Sequence, residues 1–165
     1  MAYSAPEPMS NSSTERLLER HPLLCRLTPE QVQRIAASGD VEEFDLGEVI
    51  VEEGSPSEAL FLVLSGACDV FKNGQWLASL HAGDFFGEMA LVEPAPRSAT
   101  VRGREPSFVF RLPYFALQNM LADDPSAFNA VLVTVVKVLS DRLRRANQTL
   151  TSGGELAEWL AGSLV

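Results

Sequence analysis

The sequence is poor in the residues that most often build disulfide frameworks and metal centres. Among 165 residues it has only two cysteines, Cys25 and Cys68, and only two histidines, His21 and His81. So few cysteines argue against a disulfide-rich secreted fold, and histidines without neighbouring ligands predict no metal site. The N-terminus also lacks the basic-then-apolar pattern of a secretory signal, so we expect a reduced, cytoplasmic setting.

Long apolar runs and positive charge are also scarce. The longest apolar stretch, Ala130 to Val136, contains Thr134 and is too short to cross a bilayer. The net charge is −9, and eight carboxylates lie between Asp40 and Glu58 without any Lys or Arg. Because duplex binding depends on basic residues that neutralise phosphates, we predict no direct DNA binding by this chain. Because the apolar run is short, we also predict no membrane segment.

The rest of the composition is typical of one globular domain. Apolar residues make up 46% of the chain and charged residues 21%, which is enough for an ordinary hydrophobic core. Residues 1–13 predict a disordered tail and residues 14–150 the folded domain. Residues 151–165 predict a C-terminal tail that can form one short helix.

Turn signals and hydrophobic spacing predict helices first and short strands after them. Thr14–Arg20 predicts one helix, and Thr28 is expected to cap a second helix that begins at Pro29. Between Val41 and Leu112, β-branched and aromatic stretches separated by turn glycines predict a compact β sandwich or barrel. The expected strands are Val41–Phe44, Val49–Val51, Ala59–Ser65, Ala67–Lys72, Gln75–Leu80, Ser98–Arg102 and Ser107–Pro113. The Asn-Gly pair between the fourth and fifth of them predicts a tight hairpin.

The last part of the sequence predicts two more helices. One is Tyr114–Leu121, and a longer one runs from its expected cap, Ser126, to about Leu150. Along the longer helix, apolar residues recur at the alternating spacings of four and three that define a heptad seam. The seam consists of Leu132, Val136, Leu139, Leu143, Ala146 and Leu150. Additional valines predict that its first half is buried against the β unit or a partner, and we expect a homodimer through this helix.

One segment combines the donors and acceptors that a sugar-phosphate ligand needs. The run from Gly83 to Leu91 reads Gly-Asp-Phe-Phe-Gly-Glu-Met-Ala-Leu, and Arg97 follows nine residues after Glu88. A guanidinium offers phosphate a fixed fork of N–H donors, and a carboxylate accepts from a ribose hydroxyl. A glycine at position 87 lets the backbone approach a ligand closely. These residues together predict a pocket for a cyclic phosphate.

This segment resembles the phosphate-binding cassette of the cyclic nucleotide-binding domain family. The family includes catabolite-activator-like bacterial regulators, regulatory subunits of cyclic-nucleotide-dependent kinases and cyclic-nucleotide-gated channels. The resemblance extends over roughly residues 20 to 150 through turns and strands at Gly47-Glu48, Glu53-Gly54, Leu60–Gly66 and Gly83-Asp84. It implies an α+β, mainly β fold: an eight-stranded, jelly-roll-like β roll with N-terminal helices, a short cassette helix and a long C-terminal helix.

The resemblance also implies roles for the matching residues. Arg97 would pair with the cyclic phosphate, and Glu88 would accept from the ribose 2′-hydroxyl. Ser98 would donate to the phosphate or reach the exocyclic amine of a guanine, which leaves the base undecided. The other implied ligand contacts are Val70, Leu77, Phe86, Gly87, Met89, Ala90, Ala99, Arg145 and Asn147. For the last two, a solvated helix face is the other interpretation.

These residues predict a non-catalytic sensor that binds cAMP or cGMP, without a cofactor, and couples binding to movement of the C-terminal helix or to dimer rearrangement. The alternative is a protein-interaction or dimerisation module on the same fold that binds no nucleotide or a cyclic dinucleotide. No nucleophile–base pair is identifiable by spacing, which argues against an enzyme. Only 15 residues follow Leu150, too few for the helix-turn-helix domain of transcription-factor relatives.

Overall fold

The computed structural model describes residues 11–150 except residue 92, and it contains two four-stranded antiparallel sheets with helices beside them. The helices are Asn11–Arg20 (α1), Pro29–Ala36 (α2), Tyr114–Asp123 (α3) and Pro125–Leu150 (α4), and a 3₁₀ helix spans Glu88–Leu91. The strands are Asp40–Phe44 (β1), Val49–Val51 (β2), Ala59–Ser65 (β3), Ala67–Lys72 (β4), Gln75–His81 (β5), Phe85–Phe86 (β6), Thr100–Gly103 (β7) and Ser107–Pro113 (β8). The predicted eight-stranded β roll with its helices is confirmed.

Parts of three predictions lie outside the described residues. They are the tail over residues 1–10, the C-terminal tail over residues 151–165, and the side chains of Ala146 and Leu150 in the heptad seam. Within the described range, α1 begins at Asn11, three residues before the predicted start at Thr14.

The strand orders are β1-β8-β3-β6 in one sheet and β2-β7-β4-β5 in the other. The β4–β5 pair is the hairpin that the Asn-Gly signal predicted, since Asn73 and Gly74 have φ values of 49° and 77°. Such a turn requires positive φ at both central positions, which glycine and asparagine tolerate.

The strand β3 separates two hydrophobic cores, so nearly all of its residues are buried. Ala59, Phe61 and Val63 enter the core between the two sheets. Leu60, Leu62 and Leu64 enter the second core, between the β1-β8-β3-β6 sheet and the helices. Because both faces of the strand are covered, its sequence is an unbroken apolar run rather than an alternation.

Two element boundaries differ from the prediction around β6 and β7. Phe85–Phe86 forms a strand of only two residues that pairs with β3, too short for an alternation pattern to reveal. The predicted strand Ser98–Arg102 begins two residues later, at Thr100, because Arg97 and the residues after it still belong to a turn. In that turn the backbone N–H of Arg97 donates to Ser55 O and the N–H of Gly54 donates to Arg97 O.

The helix caps were predicted correctly at α2 and wrongly at α4. At α2, the Thr28 hydroxyl accepts from Gln31 N and the Gln31 side chain accepts from Thr28 N, which is a complete capping box. At α4, Ser126 is not the cap. The Asp124 carboxylate accepts from the Ser126 hydroxyl at 2.9 Å and from Ala127 N at 3.1 Å, because Pro125 occupies the first helical position.

The long helix α4 is buried on one face only. Val131 and Val135 are 2% and 6% exposed, whereas Val136 and Leu143 are 60% and 49% exposed. Leu139 of the predicted seam packs against the helix-side core. The first half of this helix was expected to be buried against the β unit or a partner, and among the described residues Val131 and Val135 are buried on the side that faces the roll. No helix among residues 11–150 is both long and apolar enough to cross a membrane.

Candidate functional site

Arg97 is a buried cation whose donors are mostly unused. Its Nη2 donates to Ala59 O at 2.8 Å, and its guanidinium carbon lies 5.4 Å from the centroid of the Phe61 ring. The residue is 5% exposed, and its Nε and Nη1 have no hydrogen-bond partner in the part of the chain that the structure describes. Burial lowers the pKa of Arg97, because it disfavours the charged form. Binding of an anion would supply the missing acceptors.

Glu88 is the first residue of the 3₁₀ helix and is 2% exposed. Neither carboxyl oxygen has a hydrogen-bond partner among the described residues. Arg142 forms an ion pair with it. The Arg142 Nη1 lies 3.6 Å from Glu88 Oε1, a distance too long for a hydrogen bond. Burial raises the pKa of Glu88 to about 7, against the opposing charges of Arg142 and Arg97. This carboxyl group is thus available to accept from a ligand hydroxyl.

Gly87 immediately precedes Glu88 in the chain, and its lack of a side chain leaves room for the Arg97 guanidinium. Its φ of 89° is one that glycine adopts readily and other residues rarely do. A Cβ at this position would lie 2.6 Å from Arg97 Nη1 and 2.8 Å from Ala59 O. The carbonyl of Gly87 accepts from the Tyr114 hydroxyl, which connects this turn to the start of α3.

Most of the other predicted site residues lie near this turn or in the core beside it. Ser98 has a buried hydroxyl that lacks a partner among the described residues. Met89 and Ala90 are partly buried in the 3₁₀ helix. The core between the sheets contains four further predicted contacts: Val70, Leu77, Phe86 and Ala99. Arg145 and Asn147, in contrast, are exposed on α4.

Sequence reasoning missed Arg142, an α4 residue whose side chain reaches the cassette. Its Nη2 donates to Phe85 O at 3.1 Å, and its guanidinium carbon lies 5.5 Å from the centroid of the Phe85 ring. With its contact to Glu88, Arg142 connects α4 to residues on both sides of Gly87. One signal was available, because Arg142 follows the core residue Leu139 by three positions and so lies on the same helix face.

His21 lies in the loop between α1 and α2 and is buried against the turn before the cassette. Its Nδ1 accepts from Leu23 N at 3.2 Å, which leaves the proton on Nε2 to donate to Asp84 O at 3.1 Å. Burial lowers the pKa of His21, which favours this neutral form. The residues that lead into the cassette are therefore held by His21 at Asp84 and by Arg142 at Phe85.

Comparisons with known proteins agree with the fold. A profile of the cyclic nucleotide-binding domain matches residues 41–124. The cAMP-dependent protein kinase regulatory subunit of Hypocrea atroviridis is 37% identical over 107 residues, which are 65% of this chain and 23% of that protein. A cyclic nucleotide-binding domain from Methylobacillus flagellatus superposes with a TM-score of 0.77 at 26% identity, covering 91% of this chain and 90% of the other. The Thermus thermophilus catabolite activator protein gives a TM-score of 0.66 at 30% identity, covering 79% and 62%.

The chain belongs to the cyclic nucleotide-binding domain family and is homologous to the regulatory subunits of cAMP-dependent protein kinases. The family resemblance in the sequence is thereby confirmed. The chain spans about a quarter of the length of the curated relatives that it matches.

Proposed function

We propose that this chain is a non-catalytic sensor domain that binds cAMP or cGMP at Arg97 and Glu88. One observation carries the proposal: a buried guanidinium and a buried carboxyl group near the same turn both have atoms without hydrogen-bond partners among the described residues. Buried polar groups are nearly always paired, so unpaired ones on both sides of a turn indicate where a ligand completes the structure. The cyclic phosphate takes donors of Arg97, and the ribose hydroxyl donates to Glu88.

The remaining predicted contacts have subordinate roles in this proposal. Backbone groups of Gly87, Met89 and Ala90 and the free hydroxyl of Ser98 complete the polar surroundings of the phosphate. Apolar surface for the sugar or base comes from Val70, Leu77, Phe86 and Ala99. Arg145 and Asn147 enter only as lid residues, since contact with the base requires a shift of α4 that brings these exposed side chains over the pocket.

Calorimetric titration with cAMP and with cGMP, each alone, tests the ligand assignment. We expect one saturable site for at least one of the two, and the tighter ligand names the preferred base. Failure of both ligands to bind a chain that unfolds cooperatively would overturn the assignment and favour the interaction-module alternative. The names of the related kinase subunits support cAMP as the first ligand to try.

In this mechanism, ligand binding changes the docking of α4 through the contact between Glu88 and Arg142. A hydroxyl that donates to Glu88 favours its ionised form, because a carboxylate accepts more strongly than a neutral acid. An ionised Glu88 attracts Arg142 more strongly across their 3.6 Å separation. Ligand binding and the docking of α4 onto the roll then favour one another, because coupling between two equilibria is reciprocal.

We therefore expect cAMP or cGMP to slow hydrogen exchange over residues 137–148 of the wild type, and Arg142→Gln to abolish most of that protection. The substitution removes the charge that senses the ionised carboxylate. Arg144→Gln is the matched control, because Arg144 is 72% exposed on the same helix and pairs with Asp141 at 3.5 Å. Equal ligand-dependent protection in wild type and Arg142→Gln would contradict this coupling.

The outer face of α4 supports a homodimer between two copies of this chain. Val136 and Leu143 are seven positions apart and both largely exposed, so they form an apolar strip on one helix face. We expect Leu143→Asp to convert a dimer into a monomer in sedimentation equilibrium, because it places a charge in the interface. Leu46→Asp, at a residue 74% exposed in the β1–β2 turn, is the control. A Leu143→Asp variant that sediments like the wild type would rule out this strip as the interface.

Two further properties belong to the proposal. Both cysteines are free, with Cys25 exposed and Cys68 buried, which accords with a reducing compartment such as the cytoplasm. The net charge of −9 supports a role without direct DNA contact by this chain.

A further inference from the structure

A cavity lies beside Arg97, and none of the other predicted ligand contacts lines it. Its volume is about 280 Å³, and it opens between β2, the turn after β2, β3 and β8. Four charged residues line it: Arg97, Arg111, Glu52 and Glu58. Arg97 and Ala59 both border this cavity and the turn at Gly87, and Arg97 is the charged one, so its guanidinium connects the two spaces.

Arg111 points into the roll because of the register of β8. It lies two positions after Val109 on the same face of the strand, and Val109 is buried in the core between the sheets. Arg111 also pairs directly with Phe61 on β3. Directly paired residues in antiparallel strands share a face, so Arg111 and Phe61 both lie on the inner side of their sheet. Arginine is rarely placed at such a position unless it has a partner.

The recorded partner of Arg111 within the chain is a weak one. Its Nη2 lies 3.9 Å from Glu58 Oε2, beyond hydrogen-bond distance, and the Glu58 side chain is 74% exposed. Solvent screens such an ion pair, and exposed pairs contribute little to stability. Two other carboxylates face this region, Glu52 in the cavity wall and Asp40 opposite Arg111 on β1, and both residues are exposed.

The balance of charge in the cavity favours an anion. The side chain of Arg111 is 32% exposed and Arg97 is 5% exposed, so the two cations are better shielded from solvent than the carboxylates. The charge of Arg111 acts with burial to lower the pKa of Arg97, as expected for two like charges near each other. An anion bound between them would relieve this repulsion.

Arg97 has enough donors to serve two anionic groups. A guanidinium carries five N–H bonds in a fixed fork, and the contact with Ala59 O uses one of them. A phosphate at the Gly87 turn and a second phosphate in the cavity can therefore both contact Arg97. The second phosphate would also contact Arg111.

We propose that this cavity is a second phosphate subsite, so that the ligand that fills the whole site is a nucleotide with two phosphate groups. The first phosphate is the one that Arg97 binds in the proposed function, and the second lies between Arg97 and Arg111. This inference rests on the proposed function, because the first phosphate contact is the same in both. A cyclic mononucleotide occupies the first subsite alone.

Titration of the wild type and of Arg111→Gln tests the subsite. The ligands are cAMP, cGMP, cyclic di-AMP, cyclic di-GMP and adenosine 3′,5′-bisphosphate, so that cyclic dinucleotides and a bisphosphate are separate arms. We expect at least one two-phosphate ligand to bind the wild type about tenfold or more tightly than either mononucleotide. Arg111→Gln should remove that gain while changing the mononucleotide affinity by less than about twofold.

Two further variants make the result specific. Arg102→Gln is the matched control, because it removes the same charge from an exposed position on β7 outside the cavity, and it should bind every ligand as the wild type does. Arg111→Lys keeps the charge without the fork and should retain part of the gain. Cooperative thermal unfolding of each variant shows that it is folded, and Arg111→Lys carries the test if Arg111→Gln does not fold.

The outcomes separate failure of the subsite from failure of the proposed function. If no two-phosphate ligand exceeds cAMP and cGMP, or if the Arg111 variants weaken all ligands equally, the second subsite is wrong while the first stands. If the folded wild type binds a two-phosphate ligand but no mononucleotide, and Arg111 is required, the subsite stands and the mononucleotide assignment is wrong. If the wild type binds none of the five ligands, both are wrong.

Discussion

Replacement of Arg97 by alanine is expected to lower the affinity for cAMP or cGMP by about tenfold to several hundredfold. Each charge-assisted hydrogen bond contributes roughly 1.5–3 kcal/mol, and about 1.4 kcal/mol corresponds to a factor of ten in the binding constant. The effect should lie at the upper end if the phosphate uses both free nitrogens, because Arg97 is 5% exposed and solvent competes weakly there. Calorimetric titration of the variant measures the loss directly.

The Arg97 substitution also removes structural contacts, so its stability must be measured with its affinity. The variant loses the bond to Ala59 O and the packing of the guanidinium over Phe61. Arg97→Lys keeps the positive charge but not the planar fork, and it should fall between alanine and the wild type. Arg102→Ala, at an exposed site on β7, controls for the loss of one charge. An Arg97→Ala protein that is folded and binds like the wild type would refute the phosphate assignment.

Glu88→Gln is expected to raise the stability of the ligand-free protein at neutral pH relative to the wild type. The folded-state pKa of Glu88 is raised to about 7 by burial, whereas its ordinary value is 4.5. Between these two pH values the unfolded chain releases this proton and the folded chain retains it. The wild type therefore loses free energy of unfolding as the pH rises from about 4.5 to about 7, by up to roughly 3 kcal/mol at about 1.36 kcal/mol per pH unit.

Glutamine stays neutral and does not undergo this loss. The difference in free energy of unfolding between Glu88→Gln and the wild type should thus grow across the same pH window, as measured by urea denaturation at several pH values. Comparing the two proteins at each pH removes the contribution of other titrating groups. Glu93→Gln is the control for the loss of one carboxylate, since Glu93 is exposed in the same loop. Parallel profiles for wild type and Glu88→Gln would show that the carboxyl group ionises normally.

The cassette could be predicted because its residues are close together in the chain. Gly87 and Glu88 are adjacent, Arg97 follows within ten residues, and the intervening turn needs no distant partner to be recognised. The structure places all three around one turn, with Arg97 Nη1 next to Gly87. Strand boundaries near the cassette were less predictable, because the two-residue strand Phe85–Phe86 depends on its pairing with β3.

The heptad spacing of α4 was visible, but its burial was not. Residues seven apart share a helix face whatever lies beside it, so the spacing alone could not distinguish the roll from a partner. Packing places Val131 and Val135 against the roll and leaves Val136 and Leu143 exposed.

Local signals were enough to predict a compact β sandwich or barrel, its Asn73-Gly74 hairpin and the cassette segment, because turn conformations and apolar alternation depend on neighbouring residues. The resemblance to the family added the eight-stranded roll. The surroundings of the side chains proposed to bind the ligand depended instead on long-range packing. Arg142 meets Glu88 because α4 folds back onto the roll, and Arg111 faces the cavity beside Arg97 because of the pairing register of β8. Those juxtapositions join residues far apart in the chain, so strand register and helix docking decide them, and no short stretch of sequence contains that information.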